Sequence, residues 1–250
     1  MIDRPNVSDP GRIVAHRGAS QVAPENTLGA FRTAAEQGVW WLEFDVSMLG
    51  DGTAVTHHDA TLDRCTNRTG ALADLGLADL ADIDCGGGEP LPTLDQALDL
   101  IQAEGMFANL EMKPHSEPAG RMARIVADAL AARPWTAKRI LVSSFSMGEL
   151  DQLRALMPDV PLAVLFHNPP ENWIEIANRL SAAALHVRFS YLTSGLIKQA
   201  RRRGMDIRTF TINDPVAAQP FRDLGLTGVI TDHPPLYLAD EAWRAWGESV

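Results

Sequence analysis

The stretch Trp41-Leu42-Glu43-Phe44-Asp45-Val46 alternates acidic residues with large apolar ones, and it predicts the fold. On a β-strand successive side chains point to opposite faces, so Glu43 and Asp45 share one face. The apolar neighbours require burial, which argues against a solvated edge strand. A barrel of parallel strands has no free edge, and its functional groups collect at the carboxyl ends of the strands. We therefore interpret the stretch as a strand of such a barrel.

Nine apolar runs alternate with amphipathic segments of helical period along the 250 residues, a pattern typical of repeated βα units. The turn Leu49-Gly50-Asp51-Gly52-Thr53 is too short for a parallel crossover, so it predicts a hairpin in which the run ending at His58 returns antiparallel. Eight parallel units remain, and the sequence predicts an α/β fold, a (β/α)8 TIM barrel. The nine runs cover residues 12–16, 40–46, 53–58, 107–113, 139–145, 161–166, 184–188, 206–212 and 228–232.

Residues 60–90 depart from this pattern. The stretch is rich in Asp, Leu and Gly and is too long for an ordinary connection. We expect a small insertion after strand two, made of short helices over the mouth of the barrel. Its two cysteines, Cys65 and Cys85, lack CxxC spacing and are interpreted as free thiols. No interdomain linker is apparent, so residues 1–250 are predicted to form a single domain.

The formal net charge of −10 argues against a nucleic-acid partner, because binding to a phosphate backbone depends on clustered Lys and Arg. An acidic protein also repels anionic substrates at long range, so any phosphate must be held by local positive charge. No stretch approaches the roughly 20 apolar residues of a transmembrane helix, and Met1 to Pro10 lacks the apolar core of a signal peptide. We expect a cytoplasmic protein without stable membrane association.

Charged and imidazole side chains stand where the apolar runs end. Glu43 and Asp45 on one strand face predict a site for a hard cation such as Mg²⁺ or Ca²⁺. Glu111, on the next parallel strand, is the candidate third oxygen ligand. His16 and His58 end runs in the same neighbourhood, and imidazole titrates near neutral pH, so one can remove a proton while the other donates one.

Two basic residues accompany these groups. Arg17 and Lys113 are candidate donors to the non-bridging oxygens of a phosphate, where charge builds up during phosphoryl transfer. The alternative, that they only balance nearby carboxylates, stays open. His57 should point away from His58 by strand alternation and is interpreted as structural.

At these positions the chain resembles the glycerophosphodiester phosphodiesterases, especially their cytosolic bacterial branch. The similarity covers nearly the whole chain, and the order of its motifs and their placement at strand ends make it specific. It implies a (β/α)8 barrel with a small insertion after strand two. The motifs are Ala15-His16-Arg17-Gly18, Ala23-Pro24-Glu25-Asn26-Thr27, Glu43-Phe44-Asp45-Val46, His58-Asp59, Leu62-Asp63-Arg64, Leu91-Pro92-Thr93-Leu94, Asn109-Leu110-Glu111-Met112-Lys113, Ser143-Ser144-Phe145, Thr211-Ile212-Asn213 and Gly228-Val229-Ile230-Thr231-Asp232.

The resemblance also implies roles for matching positions. The implied residues are Glu43, Asp45 and Glu111 as ligands of one divalent cation, His16 and His58 as general acid and base, and Arg17 and Lys113 as phosphate contacts. Phe210 stands where the family often has Trp, so it would keep an aromatic wall for the glycerol or alcohol moiety but lose the indole donor. Cys65 and Arg68 replace the Thr and Gly that are frequent in the family, and Arg68 could alter which head group is accepted.

The implied reaction is metal-dependent hydrolysis of small-molecule glycerophosphodiesters, such as glycerophosphocholine and glycerophosphoethanolamine, to sn-glycerol 3-phosphate and an alcohol. One alternative is an activity like that of lysophospholipase D or a phosphoinositide phospholipase, which would need an apolar rim that the polar insertion does not offer. Another is a non-catalytic phosphodiester-binding protein, which should lack an acid-base residue or a metal ligand. The sequence leaves open the choice among Mg²⁺, Ca²⁺ and Mn²⁺, the acid and base assignment, the attacking oxygen and the oligomeric state.

Overall fold

A computed structural model describes residues 12–115, 120–135 and 139–248. Within them, eight parallel strands pair in the order β1, β2, β4, β5, β6, β7, β8, β9 and back to β1, so the sheet closes on itself. The predicted (β/α)8 barrel is therefore confirmed. The parallel strands are β1 Ile13–His16, β2 Trp41–Met48, β4 Phe107–Met112, β5 Ile140–Ser144, β6 Leu162–Phe166, β7 Ala184–Arg188, β8 Asp206–Phe210 and β9 Gly228–Thr231.

Helices on the outside of the barrel connect these strands. Five of them begin at a residue whose side-chain oxygen accepts a backbone N–H of the first turn, namely Thr27, Thr93, Ser146, Thr193 and Asp214. Such caps satisfy donors that the helix itself leaves unpaired. The helices are α1 Leu28–Glu36, α2 Leu94–Glu104, α3 Arg121–Ala131, α4 Met147–Leu156, α5 Trp173–Arg179, α6 Ser194–Arg201, α7 Pro215–Asp223, α8 Pro234–Ala239 and α9 Glu241–Glu248.

The predicted hairpin is present but shorter than expected. Strand β3 comprises only Ala54–Val55 and pairs antiparallel with β2. The expectation that His58 ends a strand is wrong, because the backbone N–H of Thr56 donates to the carbonyl of Pro92 at 3.0 Å instead of continuing the ladder. His58 therefore lies in the loop that follows β3.

The predicted insertion lies between β3 and α2 and contains two 3₁₀ helices, Leu72–Asp74 and Leu77–Asp82. It has a small apolar cluster of its own, separate from the barrel core. The cluster consists of Leu49, Val55, Leu62, Leu72, Leu80, Ile83 and Leu91. Cys65 and Cys85 are free, as the sequence predicts.

The register of the barrel strands brings polar residues to one level at their carboxyl ends. His16 on β1 pairs with Glu43 on β2, and Asp45 on β2 pairs with Glu111 on β4. Below this level the strands carry mainly apolar residues that form the core. The prediction for Met1 to Pro10 lies outside the described residues. In the described part of the chain, the helices are too short or too polar to cross a membrane.

Candidate active site

Three carboxylates meet at the mouth of the barrel. Glu43, Asp45 and Glu111 are at most 7% exposed, and one oxygen from each lies within 4.8 Å of the others. Burial, together with repulsion from neighbouring carboxylates, raises the pKa of Glu43 well above its usual range and raises that of Glu111 to about 7. Burial opposes ionisation of Asp45 as well, but nearby cations hold the pKa of Asp45 below its usual range. Concentrated negative charge of this kind is stable only beside positive charge.

The donor set fits a divalent cation. Glu43 Oε1 is buried and accepts no hydrogen bond within the described structure, and Asp45 Oδ1 and Glu111 Oε1 are buried beside the Lys113 ammonium. Carboxylate oxygens are the ligands that Mg²⁺ and Ca²⁺ prefer, and buried acceptors without partners are rare in proteins. The three carboxylates could therefore hold one metal ion, as their spacing on β2 and β4 suggests.

The two cationic groups lie directly against this cluster. Arg17 Nε is 3.1 Å from Asp45 Oδ2, and Lys113 Nζ is 3.3 Å from Asp45 Oδ1 and also contacts Glu111. Burial alone would lower the pKa of both cations, but these carboxylates raise the pKa of Arg17 and of Lys113. Both side chains are therefore held charged next to the carboxylates.

A tight turn after β1 places Arg17. Gly18 has a φ of 81°, and a Cβ there would lie 2.8 Å from backbone atoms of Ala30, so this position requires glycine. The turn lets the Arg17 N–H donate to the Glu43 carbonyl at 2.7 Å. The buried side chain of Asn26 fixes Asp45 from the other side. Its Nδ2 donates to Asp45 Oδ2 at 2.9 Å, and its Oδ1 accepts the Asp45 backbone N–H at 3.0 Å. The orientation of Asp45 is thus set on both sides.

His16 is held by a carboxylate that directly follows the last strand. Its Nδ1 lies 2.6 Å from Asp232 Oδ1, and its Nε2 lies 3.8 Å from Glu43 Oε2. Burial would raise the pKa of Asp232, but hydrogen bonds from His16, Asn213 and Ser20 lower it to about 2. When Nδ1 donates to Asp232, Nε2 is the nitrogen that can exchange a proton with a ligand.

His58 has an equivalent partner. Its Nδ1 lies 2.5 Å from Oδ1 of Asp59, whose Oδ2 accepts a hydrogen bond from Arg64 Nε at 2.5 Å. Burial lowers the pKa of His58, and the Lys113 and Arg17 charges lower it further. Arg64 also donates twice to Glu25 at 2.7 Å, so the insertion is tied to the loop after β1.

The groups open into a cleft of about 530 Å³. Phe210 lies on the side opposite the carboxylates and packs edge-on against Phe145, with ring centroids 5.9 Å apart. His57 points away, and its Nε2 donates to the Thr61 carbonyl at 3.0 Å, in agreement with its structural interpretation. The lining residues are His16, Arg17, His58, Glu111, Lys113, Phe145, His167, Arg188, Phe189, Ser190, Phe210 and Thr211.

Sequence reasoning assigned Phe210 to the cleft wall but missed the carboxylate partners of the histidines and the wall residues Phe145 and His167. Asp59 was available from its position next to His58, and Asp232 from its position at the end of the run 228–232. Phe145 ends the run 139–145, and His167 directly follows the run 161–166. For Asp232, Phe145 and His167, position at a strand end was the usable signal.

Both acid-base candidates, two cations and an acidic cluster share one cleft at the carboxyl ends of the strands, which places the protein among the (β/α)8-barrel enzymes. The model of the glycerophosphoryl diester phosphodiesterase family matches residues 16–236. The chain belongs to this family.

Individual relatives match over nearly their full length. A glycerophosphodiester phosphodiesterase from Caldanaerobacter subterraneus is 29% identical over 89% of this chain and 94% of its own. A phosphodiesterase from Oleispira antarctica, solved in complex with the product sn-glycerol-3-phosphate, has a TM-score of 0.87 and 31% identity, and covers 95% of this chain and 97% of its own. A glycerophosphodiester phosphodiesterase structure from Thermotoga maritima has a TM-score of 0.76 and 26% identity, and covers 92% and 97%.

Proposed function

We propose that the protein hydrolyses glycerophosphodiesters, such as glycerophosphocholine and glycerophosphoethanolamine, to sn-glycerol 3-phosphate and an alcohol. Family membership and the product complex of the Oleispira antarctica relative support this reaction. One observation carries the proposal. Two imidazoles, each bonded through Nδ1 to a carboxylate, open into the same cleft as Arg17 and Lys113.

His16 and His58 serve as the acid-base pair in this proposal. One imidazole removes a proton from the attacking oxygen nucleophile, and the other protonates the departing alcohol. Asp232 and Asp59 hold the rings with Nε2 available, and each stabilises the imidazolium that forms during the reaction. Arg17 and Lys113 contact the non-bridging phosphate oxygens, where negative charge increases in the transition state.

Glu43, Asp45 and Glu111 hold one divalent cation, Mg²⁺ or Ca²⁺, in the proposed enzyme. When bound, the ion would neutralise charge on the phosphate and lower the pKa of an attacking oxygen. With the ion bound, the carboxylates would be shared between the ion and the Lys113 ammonium. Lys113 would then be able to contact the substrate. Phe210 lines the part of the cleft that would receive an organic moiety of the substrate.

The first test uses metal-stripped protein with glycerophosphocholine and follows sn-glycerol 3-phosphate with a coupled dehydrogenase. Release that depends on added Mg²⁺ or Ca²⁺ is expected, and His16→Ala and His58→Ala should abolish it. Both variants should still bind the cation, since neither imidazole is needed as a ligand. Turnover at the wild-type rate in either variant would remove that histidine from the mechanism.

A second candidate is cleavage of a diester that carries a lipid chain. Of the seven exposed large apolar side chains among the described residues, six lie in segments that follow barrel strands or in the insertion: Val22, Leu77, Phe145, Tyr191, Val216 and Leu236. They come from separate segments, and isolated apolar side chains are normal on a protein surface. Turnover of lysophosphatidylcholine exceeding that of glycerophosphocholine would favour the lipid substrate.

The same proposal covers location and partners. A small diester as substrate requires neither a membrane nor a nucleic acid, and the net charge of −10 disfavours binding to nucleic acid. We place the enzyme in the cytoplasm on this basis. Cell fractionation followed by immunoblotting tests the location.

A further inference from the structure

The cleft has two chemically different halves. One half carries the carboxylates, the histidines and the two cations described above. The other, here called the distal half, comes from the ends of β5 to β8. Its rings pack on one another, with centroids 4.6 Å apart for Phe145 and His167 and 5.9 Å apart for Phe145 and Phe210. The distal half consists of Phe145, His167, Arg188, Phe189 and Phe210.

Arg188 is the charged residue of the distal half. It ends β7 and is exposed, and its side chain forms no hydrogen bond or ion pair with any residue in 12–115, 120–135 or 139–248. The described lining residues include one carboxylate, Glu111, which contacts Lys113. The Lys113 ammonium lies 5.5 Å from the centroid of the Phe145 ring, where the two halves meet. Arg188 and His167 line the same cleft, and burial together with the charge of Arg188 lowers the pKa of His167. The distal half therefore presents an uncompensated positive charge among aromatic faces.

The glycerol arm and the alcohol arm of a glycerophosphodiester require different contacts. The hydroxyls of glycerol require hydrogen-bond acceptors, which the carboxylate half supplies and the aromatic rings do not. The alcohol arm is therefore the better occupant of the distal half. Aromatic faces attract quaternary ammonium groups, but a guanidinium beside them repels such a cation and attracts an anion.

We propose that the distal half binds the alcohol arm and that Arg188 selects alcohols that carry an anionic group, such as a second phosphate, over cationic alcohols such as choline. This inference rests on the proposed function, since it assumes that a glycerophosphodiester occupies the cleft. Local positive charge at the mouth is also what an anionic substrate needs to approach a protein of net charge −10.

The test compares three substrates by kcat/KM with the metal-loaded protein. They are bis(glycerophospho)glycerol, whose alcohol arm carries a second phosphodiester, glycerophosphoglycerol, whose alcohol arm is uncharged, and glycerophosphocholine, whose alcohol arm is a cation. The wild type should prefer the first. Arg188→Gln should lower kcat/KM for bis(glycerophospho)glycerol about tenfold, change that for glycerophosphoglycerol less than about twofold, and raise that for glycerophosphocholine about twofold. Because Arg188 is exposed and makes no described bond, the variant should fold as the wild type does.

Arg202→Gln is the matched control, because Arg202 is exposed and follows α6 at the opposite end of the barrel. It removes the same charge and should leave the substrate ranking unchanged. Equal effects of Arg188→Gln on all three substrates, or no effect, would overturn the inference while leaving the proposed function intact. If no diester is hydrolysed, the proposed function fails. Calorimetric binding of the three compounds then decides the inference, which is wrong if Arg188→Gln does not weaken binding of bis(glycerophospho)glycerol selectively.

Discussion

Nδ1 of His16 lies 2.6 Å from Oδ1 of Asp232, although 216 residues separate them in the chain. The contact exists because β1 pairs with β9, which closes the barrel. The first strand thus supplies a candidate acid-base group, and the segment after the last strand supplies the carboxylate that orients it. The His16 imidazole therefore has its orienting carboxylate only when the sheet is closed.

Asp232→Asn tests this orientation. An amide can hydrogen bond to either tautomer of His16 and cannot stabilise its imidazolium, so kcat should fall at least about 100-fold while KM changes little. Steady-state kinetics with glycerophosphocholine measures both values. Ser20→Ala is the control, since Ser20 donates to the same carboxylate at 3.3 Å. This variant should lower kcat less than about twofold. An equal loss in both variants would indicate a general disturbance of the loop.

The leaving group distinguishes the acid from the base. A p-nitrophenyl diester releases a stable phenolate without protonation, so the variant that lacks the general acid should regain activity with this substrate. We expect one of His16→Ala and His58→Ala to be rescued by at least about 100-fold relative to its activity on glycerophosphocholine. The other should stay inactive on both substrates. Rescue of both variants would contradict separate acid and base roles.

Glu43→Gln should raise the stability of the metal-free protein and abolish its activity. Desolvation and repulsion from Asp45 and Glu111 disfavour the ionised Glu43, so the neutral amide should stabilise the metal-free protein by about 1 kcal/mol. The same change removes a cation ligand and should abolish turnover. Thermal unfolding with EDTA and with Mg²⁺ or Ca²⁺ checks both parts. The cation should raise the Tm of the wild type only, and a similar rise in the variant would remove Glu43 from the site.

The pKa of Asp232 predicts a dependence of stability on pH. Hydrogen bonds outweigh burial and lower this pKa to about 2, below the unfolded value of 3.8. A lowered carboxyl pKa stabilises the fold above the unfolded value, and the contribution disappears as pH falls through the folded value. Because a third of the side chain is exposed, we expect only about 1 kcal/mol. The Tm difference between wild type and Asp232→Asn should shrink between pH 4 and pH 2, and a constant difference would contradict the linkage.

The acidic cluster was predictable because strand alternation is a local rule. Glu43 and Asp45 are two residues apart, so their common face follows from the sequence alone. The contact between His16 and Asp232 was not predictable in this way, since it depends on the register at which β1 meets β9. His58 was expected on a strand, but the Pro92 carbonyl takes the Thr56 N–H and ends the pairing at Val55. The orientation of His16 and the end of β3 both depend on contacts between residues that are far apart in the sequence.

Arg64 lies at the centre of a row of ion pairs that runs from Arg17 through Glu25 to Asp59 and His58. The Arg64 guanidinium binds Glu25 and Asp59 simultaneously, which a lysine ammonium cannot do with the same planar geometry. Arg64→Gln should therefore free Asp59, loosen His58 and lower kcat about fivefold to tenfold, with KM nearly unchanged. Arg64→Lys should recover only part of that loss.

Arg179→Gln is the matched control for this effect, because Arg179 forms a comparable exposed ion pair with Asp151 at 2.7 Å on the outer helices. Exposed pairs contribute about 0 to 1 kcal/mol to stability, so both variants should unfold within a few degrees of the wild type. Kinetics then separates the roles. If Arg64→Gln matches Arg179→Gln in kcat as well as in Tm, the insertion holds Asp59 without help from Arg64. A selective loss of kcat shows that the insertion orients His58 through this arginine.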